Sequence, residues 1–278
     1  EFQSIGGICV IGDTVVVEDG VQGRITEVDL DGTVLKTGAT DALVGEFGLR
    51  GDAVVWFSHF DNCDFLGRPN RVAPEGPGAA VWPFLRLDRE TLAKDTVFLV
   101  EAGEFVETNG MIHLLTFGSQ PVAVAGSMAV FLSVNTDLWV SQYSKDGQLQ
   151  RRFGRTFEPE EISARDMEEL RRELGRRSLD RDGPRLRYAS VWPAHSRQMI
   201  VDMDGNLWIR HFKKPFIEDS LQDWTVFDTA GIFLGEVPLP SALTVLEIGT
   251  DYVLGVWRDT LDVESVRLMA LRKRRTLP

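Results

Sequence analysis

An all-β fold assembled from repeated antiparallel sheets is predicted by three features of this chain. Short apolar runs alternate along it with tight-turn sequences. Its 278 residues include 26 Gly and 12 Pro, and 16 Phe and seven Trp against three Tyr, which suits a protein of many strands and turns. The third feature is the spacing of the outer hairpin turns. Gly32, Thr91, Gly147 and Gly231 follow one another at 59, 56 and 84 residues, and the long interval contains a helical segment of about 28 residues. Without that segment the period stays near 56, in the range of β-propeller blades.

The first unit reads as a three-stranded meander: Gly12–Asp19, Gly23–Leu30 and, after the Asp31-Gly32 turn, Thr33–Thr37. The second begins at Gly51–Phe57 and resumes at Ala80–Asp88 after an irregular insertion, Phe60–Gly78. The third shows four strands within Pro121–Phe153, with a turn at Asp146-Gly147. The fourth, Met199–Pro240, is the clearest, its two hairpins turning at Asp204-Gly205 and Ala230-Gly231. A fifth, three-stranded unit runs from Ala242 to Arg272. The prediction is a single propeller domain over 1–278 with a helical insertion at 156–183. In that insertion Ser163 caps an amphipathic helix, with Asp166 three residues on, and Met167, Leu170 and Leu174 form its apolar stripe. The stripe is a candidate docking surface, and packing onto the propeller is the plainer expectation.

Net charge is −12 and the sequence pI about 4.9, which argues against nucleic acid as a partner. The basic tail, 272–278, is expected to be solvated. No apolar stretch is long enough to be a transmembrane segment. The chain opens Glu1-Phe2-Gln3 without Met or a signal sequence, so an upstream segment is expected. Cys9 and Cys63 are too few for a disulfide scaffold or a cysteine zinc site. Two buried thiols are the expected state; a bond between them would imply an oxidising compartment.

Three stretches carry a resemblance to the uncharacterised bacterial six-bladed β-propellers related to NHL-repeat and TolB-like proteins. Asp202–Ile209 resembles the inner hairpin of such a blade, Trp224–Gly231 its outer hairpin, and Gly249–Val266 the last blade before ring closure. Glu1-Phe2 resembles the end of a Gly-Pro-Gly-Glu-Phe loop that follows a first blade, and Gly-Glu-Phe recurs at 45–47 and 103–105. The resemblance implies six blades of four antiparallel strands, five of them in this sequence and the first upstream; closure as five is the alternative. It also implies a periplasmic or secreted, extracytoplasmic setting. It implies no activity, since propellers host many.

Chemistry-bearing patterns are sparse. Asp202-Met-Asp-Gly-Asn206 starts like a calcium loop but lacks the distal Glu, so a plain turn is expected. His59, His113, His195 and His211 show no metal-ligand spacing, and no nucleophile elbow or phosphate loop appears. Glu18, Asp19, Asn135 and Asp259 stand at strand ends, where a metal-dependent lactonase would need its ligands. The binding candidates are Arg210 and His211 beside Trp208, and Arg258 and Asp259 beside Trp257, because Arg with an aromatic is the composition of binding hot spots. The tryptophans themselves are expected in the core. The functional expectation is a noncatalytic binding or scaffold module without cofactor or metal, engaging a protein partner or larger assembly. A metal-dependent hydrolase or lactonase and a carbohydrate-binding propeller are the alternatives, so a small-molecule or glycan ligand is kept open. Exposure of Trp56, Trp82 or Trp192 would favour the glycan.

Overall fold

The computed structural model describes residues 2–3, 5–40, 44–45, 48–49, 54–69, 72, 74–108, 111–114, 118–127, 129–135, 138–156, 163, 165–166, 168–169, 172, 199–211 and 220–273, with the backbone alone at 44–45, 48–49, 108, 111 and 113. Four-stranded antiparallel sheets dominate it, each a meander in sequence order. The first blade is β1 (Ile5–Ile11), β2 (Thr14–Asp19), β3 (Arg24–Asp29) and β4 (Val34–Ala39). A two-residue pair, β5 (Val44–Gly45) and β6 (Gly48–Leu49), follows. The second blade is β7 (Val54–His59), β8 (Phe65–Pro69), β9 (Gly78–Leu87) and β10 (Lys94–Thr108), with β11 (Met111–Leu114) added on the far end of β10. The third is β12 (Pro121–Ala125), β13 (Ala129–Val134), β14 (Leu138–Ser144) and β15 (Leu149–Arg155). The fourth is β16 (Met199–Val201), β17 (Leu207–Arg210), β18 (Leu221–Phe227) and β19 (Phe233–Pro240), and the fifth is β20 (Leu243–Ile248), β21 (Tyr252–Arg258) and β22 (Glu264–Ala270). This is a β-propeller with five blades, as the period predicted.

Contacts group the chain into two compact units: Glu1–Leu115 with Ala123–Leu132 and Ser141–Arg151, and Thr116–Val122 with Ser133–Val140 and Arg152–Pro278. In the first unit, Cys9, Val16 and Ile25 of the first blade pack on Val54, Trp56, Phe65 and Leu87 of the second. In the second unit, Trp208, Trp224 and Val226 of the fourth blade pack on Val245, Ile248 and Val253 of the fifth. Face-to-face packing of apolar sheet faces is therefore the source of stability in both.

A single device closes the outer hairpins. An acceptor side chain caps the turn while the residue three positions on takes a left-handed conformation. Asp29 Oδ1 accepts from Asp31 N (3.0 Å) and Thr33 N (2.7 Å), and Asp228 Oδ1 from Ala230 N (2.9 Å) and Ile232 N (2.8 Å). Asp259 Oδ1 does the same for Leu261 N (2.8 Å) and Val263 N (3.0 Å), and Ser144 Oγ accepts from Gln148 N (3.1 Å). Gly32, Gly147 and Gly231 fill the left-handed position at φ 84°, 81° and 78°, where a glycine has no Cβ penalty. In the fifth blade Asp262 occupies it at φ 59°.

The structure corrects the sequence reading at several places. The first blade has four strands rather than three, because β1 precedes the expected meander. Its Gly6-Gly7 weakens a strand signature, yet both glycines are required: a Cβ at Gly7 would stand 2.9 Å from the Phe65 ring, and one at Gly6 would overlap the Glu18 carboxylate. Within the expected irregular insertion, Phe65–Pro69 is β8, paired to both β7 and β9. In the second blade the left-handed residue is Leu92 (φ 60°), not Thr91, since Asp88 closes a turn one residue longer. Cys9 and Cys63 are bonded to each other rather than free, with Cα atoms 5.6 Å apart.

Helical backbone is found at Arg165, Asp166, Glu168, Glu169 and Arg172. Ser163 Oγ accepts from Asp166 N (3.2 Å) while Asp166 Oδ2 accepts from Ser163 N (2.8 Å), the reciprocal cap that the sequence suggested. Met167, Leu170 and Leu174, the apolar stripe, lie outside the described residues.

Candidate functional site

The second strand of each blade ends in polar residues: Glu18 and Asp19 in the first, Arg68 in the second, Asn135 after the third, Arg210 and His211 in the fourth, and Arg258 and Asp259 in the fifth. Most are engaged by their own blade. Asp19 accepts from Gln3 N (2.8 Å) and Gln22 N (3.2 Å). Asn135 Oδ1 accepts from Gln120 N (2.6 Å) and its Nδ2 donates to Gly118 O (3.3 Å). Asp259 caps the β21–β22 turn, and Arg258 pairs with Glu264 (2.6 Å) and Asp262 (3.9 Å). The Arg258–Asp259 pair thus closes a hairpin.

His211 is half-buried. Its Nε2 meets Thr225 Oγ1 at 2.6 Å, its backbone N donates to Asp223 O (2.9 Å), and Gln222 Nε2 donates to its carbonyl (2.8 Å). Burial lowers its pKa, opposed by the carboxylates of Glu236 and Asp223, so the ring is neutral at pH 7. Arg210 stands directly across from Trp224 in the β17–β18 register, and burial lowers its pKa as well. Trp208 is a core residue, as expected, and Trp224 joins it; Trp257, also expected in the core, is only half-buried, with the Arg267 guanidinium 4.1 Å over its ring. Trp56 and Trp82 are buried, Trp192 lies outside the described residues, and among the described residues the exposed indole is Trp139.

The Asp202 loop holds a cation, but the cation is a lysine. The Asp202 side chain is fully buried, and its Oδ2 accepts from Trp208 Nε1 (2.8 Å), Asn206 Nδ2 (3.0 Å) and Lys273 Nζ (2.9 Å). Its Oδ1 accepts from the backbone N of Asp204 (3.0 Å) and Asn206 (2.8 Å), and Lys273 also reaches Asp204 Oδ2 at 2.5 Å. Burial alone pushes the Asp202 carboxyl up; hydrogen bonds from Asn206, Lys273 and Trp208 outweigh it and hold the pKa below the ordinary value. The expected plain turn is therefore an ion-paired clasp. Lys273, read from sequence as part of a solvated basic tail, ties the chain after the fifth blade to the fourth. No local sequence signal marks that pairing, which joins residues 71 positions apart.

Glu18 is the most perturbed acid described. Its side chain is 1% exposed, Oε1 lacks a partner, and burial together with the neighbouring Asp19 charge raises its pKa to about 7, opposed by a hydrogen bond from the Gly6 backbone. The unfolded group titrates near 4.5, so the folded protein binds this proton more tightly. Stability from Glu18 is complete below pH 4.5 and falls as pH rises toward 7, by roughly 3 kcal/mol in all. Glu18→Gln should flatten that part of the pH–stability curve and exceed the wild type in stability at pH 8. Urea unfolding at pH 5 and pH 8 checks this.

Among the described residues no group of three His, Cys, Asp or Glu side chains is placed to hold a metal ion. His59 approaches Phe60 O through Nδ1 at 3.4 Å, while His195 and the His113 side chain lie outside the described residues. No helix among the described residues is long and apolar enough to cross a membrane.

The blades and their meander order define the class of protein, an antiparallel β-propeller. No protein-family model matches the chain, and no curated protein matches it in sequence. Among solved structures it is similar to a Bacteroides fragilis protein classed as exported, at 13% identity and a TM-score of 0.50 over 99% of this chain and 78% of that one. It also aligns with a DUF4221-family member from Bacteroides vulgatus (8% identity, TM-score 0.46, 93% and 74% covered) and a virginiamycin B lyase from Staphylococcus aureus (14%, 0.39, 95% and 84%). The first likeness speaks to fold alone, and the other two carry no functional argument.

Proposed function

We propose that this protein is a noncatalytic binding or scaffold propeller, extracytoplasmic in placement, that engages a protein partner or serves as an accessory subunit of a larger assembly. One observation carries the reading: the fifth blade has an uncovered aliphatic face. Leu254 pairs with Leu268 and Val256 with Val266 across β21 and β22, and Val266 and Leu268 are 74% and 68% exposed. The opposite face of the same sheet, with Val245 and Val253, is buried against the fourth blade. In the first unit, the first blade likewise exposes Ile8, Val10 and Val34 on the side away from Cys9, Val16 and Ile25. A sheet needs an apolar layer against each apolar face, and an open face of this kind suits the apolar face of another sheet.

A sheet of the partner fits such a face. The Cys9–Cys63 bond supports an oxidising compartment, and the similar Bacteroides fragilis protein, classed as exported, agrees with it. In the double variant Val266→Asp/Leu268→Asp, two exposed positions change, so stability should stay within about 1 kcal/mol of the wild type. Association with the partner, followed by sedimentation of the native assembly, should be lost. An assembly of unchanged size would contradict the proposal.

A further inference from the structure

Arg68 departs from Arg86 and Arg89 of the same blade. Arg86 approaches Asp64 (4.0 Å) and Asp95 (3.5 Å), and Arg89 pairs with Glu27 (3.2 Å). Arg68 is half-buried on β8 with no carboxylate in ion-pair range among the described residues, in a chain with 42 acidic residues to 30 Lys and Arg. Burial, with no charge opposing it, lowers the Arg68 pKa to about 10. An uncompensated guanidinium in such a position is costly.

What Arg68 does have is a platform. Its Cζ lies 4.4 Å from the centre of the Trp82 ring, within the range of a cation–π contact. Trp82 is held still: it is 3% exposed, and Nε1 donates to Ala102 O at 2.9 Å. Gly103 follows at φ 89° in a bulge of β10, where a Cβ would stand 3.1 Å from that Nε1 and 2.9 Å from the Phe105 ring. The guanidinium makes one long hydrogen bond, Nη1 to Pro69 O at 3.4 Å. The contact with Trp82 anchors the guanidinium, and its remaining donors are not buried without partners.

We propose that Arg68, set on Trp82, is a binding subsite for a carboxylate group. The planar guanidinium edge matches a carboxylate in a bidentate pair. A net charge of −12 disfavours a phosphate dianion relative to a carboxylate monoanion. The carboxylate belongs either to a small organic acid or to an acidic side chain or C-terminus of a peptide. The subsite does not depend on the partner proposed for the fifth blade, which lies in the other unit.

The test is side-chain NMR of the whole chain, following the arginine Nε–Hε signals while sodium acetate replaces sodium chloride at fixed ionic strength. One arginine signal should shift saturably, disappear from the spectrum in Arg68→Gln, and respond more weakly to inorganic phosphate. Arg68→Lys keeps the charge and the fold but loses the fork, and should weaken acetate binding at least tenfold, read from backbone amides of β8. No saturable shift in the wild type, the same amide response in Arg68→Lys, or tighter binding of phosphate than of acetate would overturn the proposal. A blocked glutamyl peptide that binds at least tenfold tighter than acetate assigns the carboxylate to a peptide; equal affinity assigns it to a small acid.

Discussion

Replacing Cys9 and Cys63 together by serine is expected to lower the unfolding free energy by about 4 kcal/mol, because the bond closes a loop with a sequence separation of 54. Cys63 has a second burden. It sits at φ 61° in the turn where Phe60 N donates to Asp64 O and Cys63 N to Phe60 O, both at 2.9 Å. That is the left-handed place glycine holds in the outer hairpins, and a side chain there costs roughly 1–2 kcal/mol. Cys9→Ser/Cys63→Gly should therefore recover about 1 kcal/mol of the loss seen with the double serine variant. Urea denaturation of the three proteins checks both steps. Equal stability of the serine variant and the wild type would show that the bond contributes nothing.

Asp202→Ala should be as damaging, at about 3–5 kcal/mol, since it strands several buried donors at once. Trp208 Nε1, Asn206 Nδ2 and the backbone N of Asp204 and Asn206 lose their acceptor, and Lys273 keeps only Asp204. Lys273→Met should cost less, because Asp202 retains four of its hydrogen bonds. The Asp202 pKa is depressed in the folded state, so its contribution is present above the unfolded value and is lost as pH falls through the folded one. The gap between wild type and Asp202→Ala should accordingly narrow below about pH 4. Thermal unfolding at pH 7 and pH 3 measures it.

These residues also show what local sequence can and cannot carry. The Asp-x-x-Gly turns at Gly32 and Gly231 were legible because a left-handed position and its capping acceptor lie within four residues of each other. Where another residue takes the glycine's place, as at Leu92 and Cys63, the turn or its exact position escapes, since packing or a covalent bond holds the conformation. Strand β8 escaped because Phe65 and Leu66 are both fully buried, which removes the alternation that marks a half-buried strand. At the candidate sites, residue type was readable and partnership was not. Asp259 looked like a ligand and caps its own turn; Lys273 looked solvated and fills the Asp202 loop. Arg68 carried no motif at all, since Trp82 is brought to it across the β8–β9 pairing.

On the proposed function, the open face of the fifth blade is covered by a sheet of the partner in the working protein. Site-specific photo-crosslinking from position 266, carried out in the cells that make the protein, tests it most directly. One discrete adduct with a second polypeptide is expected, and a crosslinker at exposed Asp31 of the first-blade turn should give none. Uncrosslinked protein at position 266 under conditions in which the protein is folded and its cysteines are oxidised would contradict it.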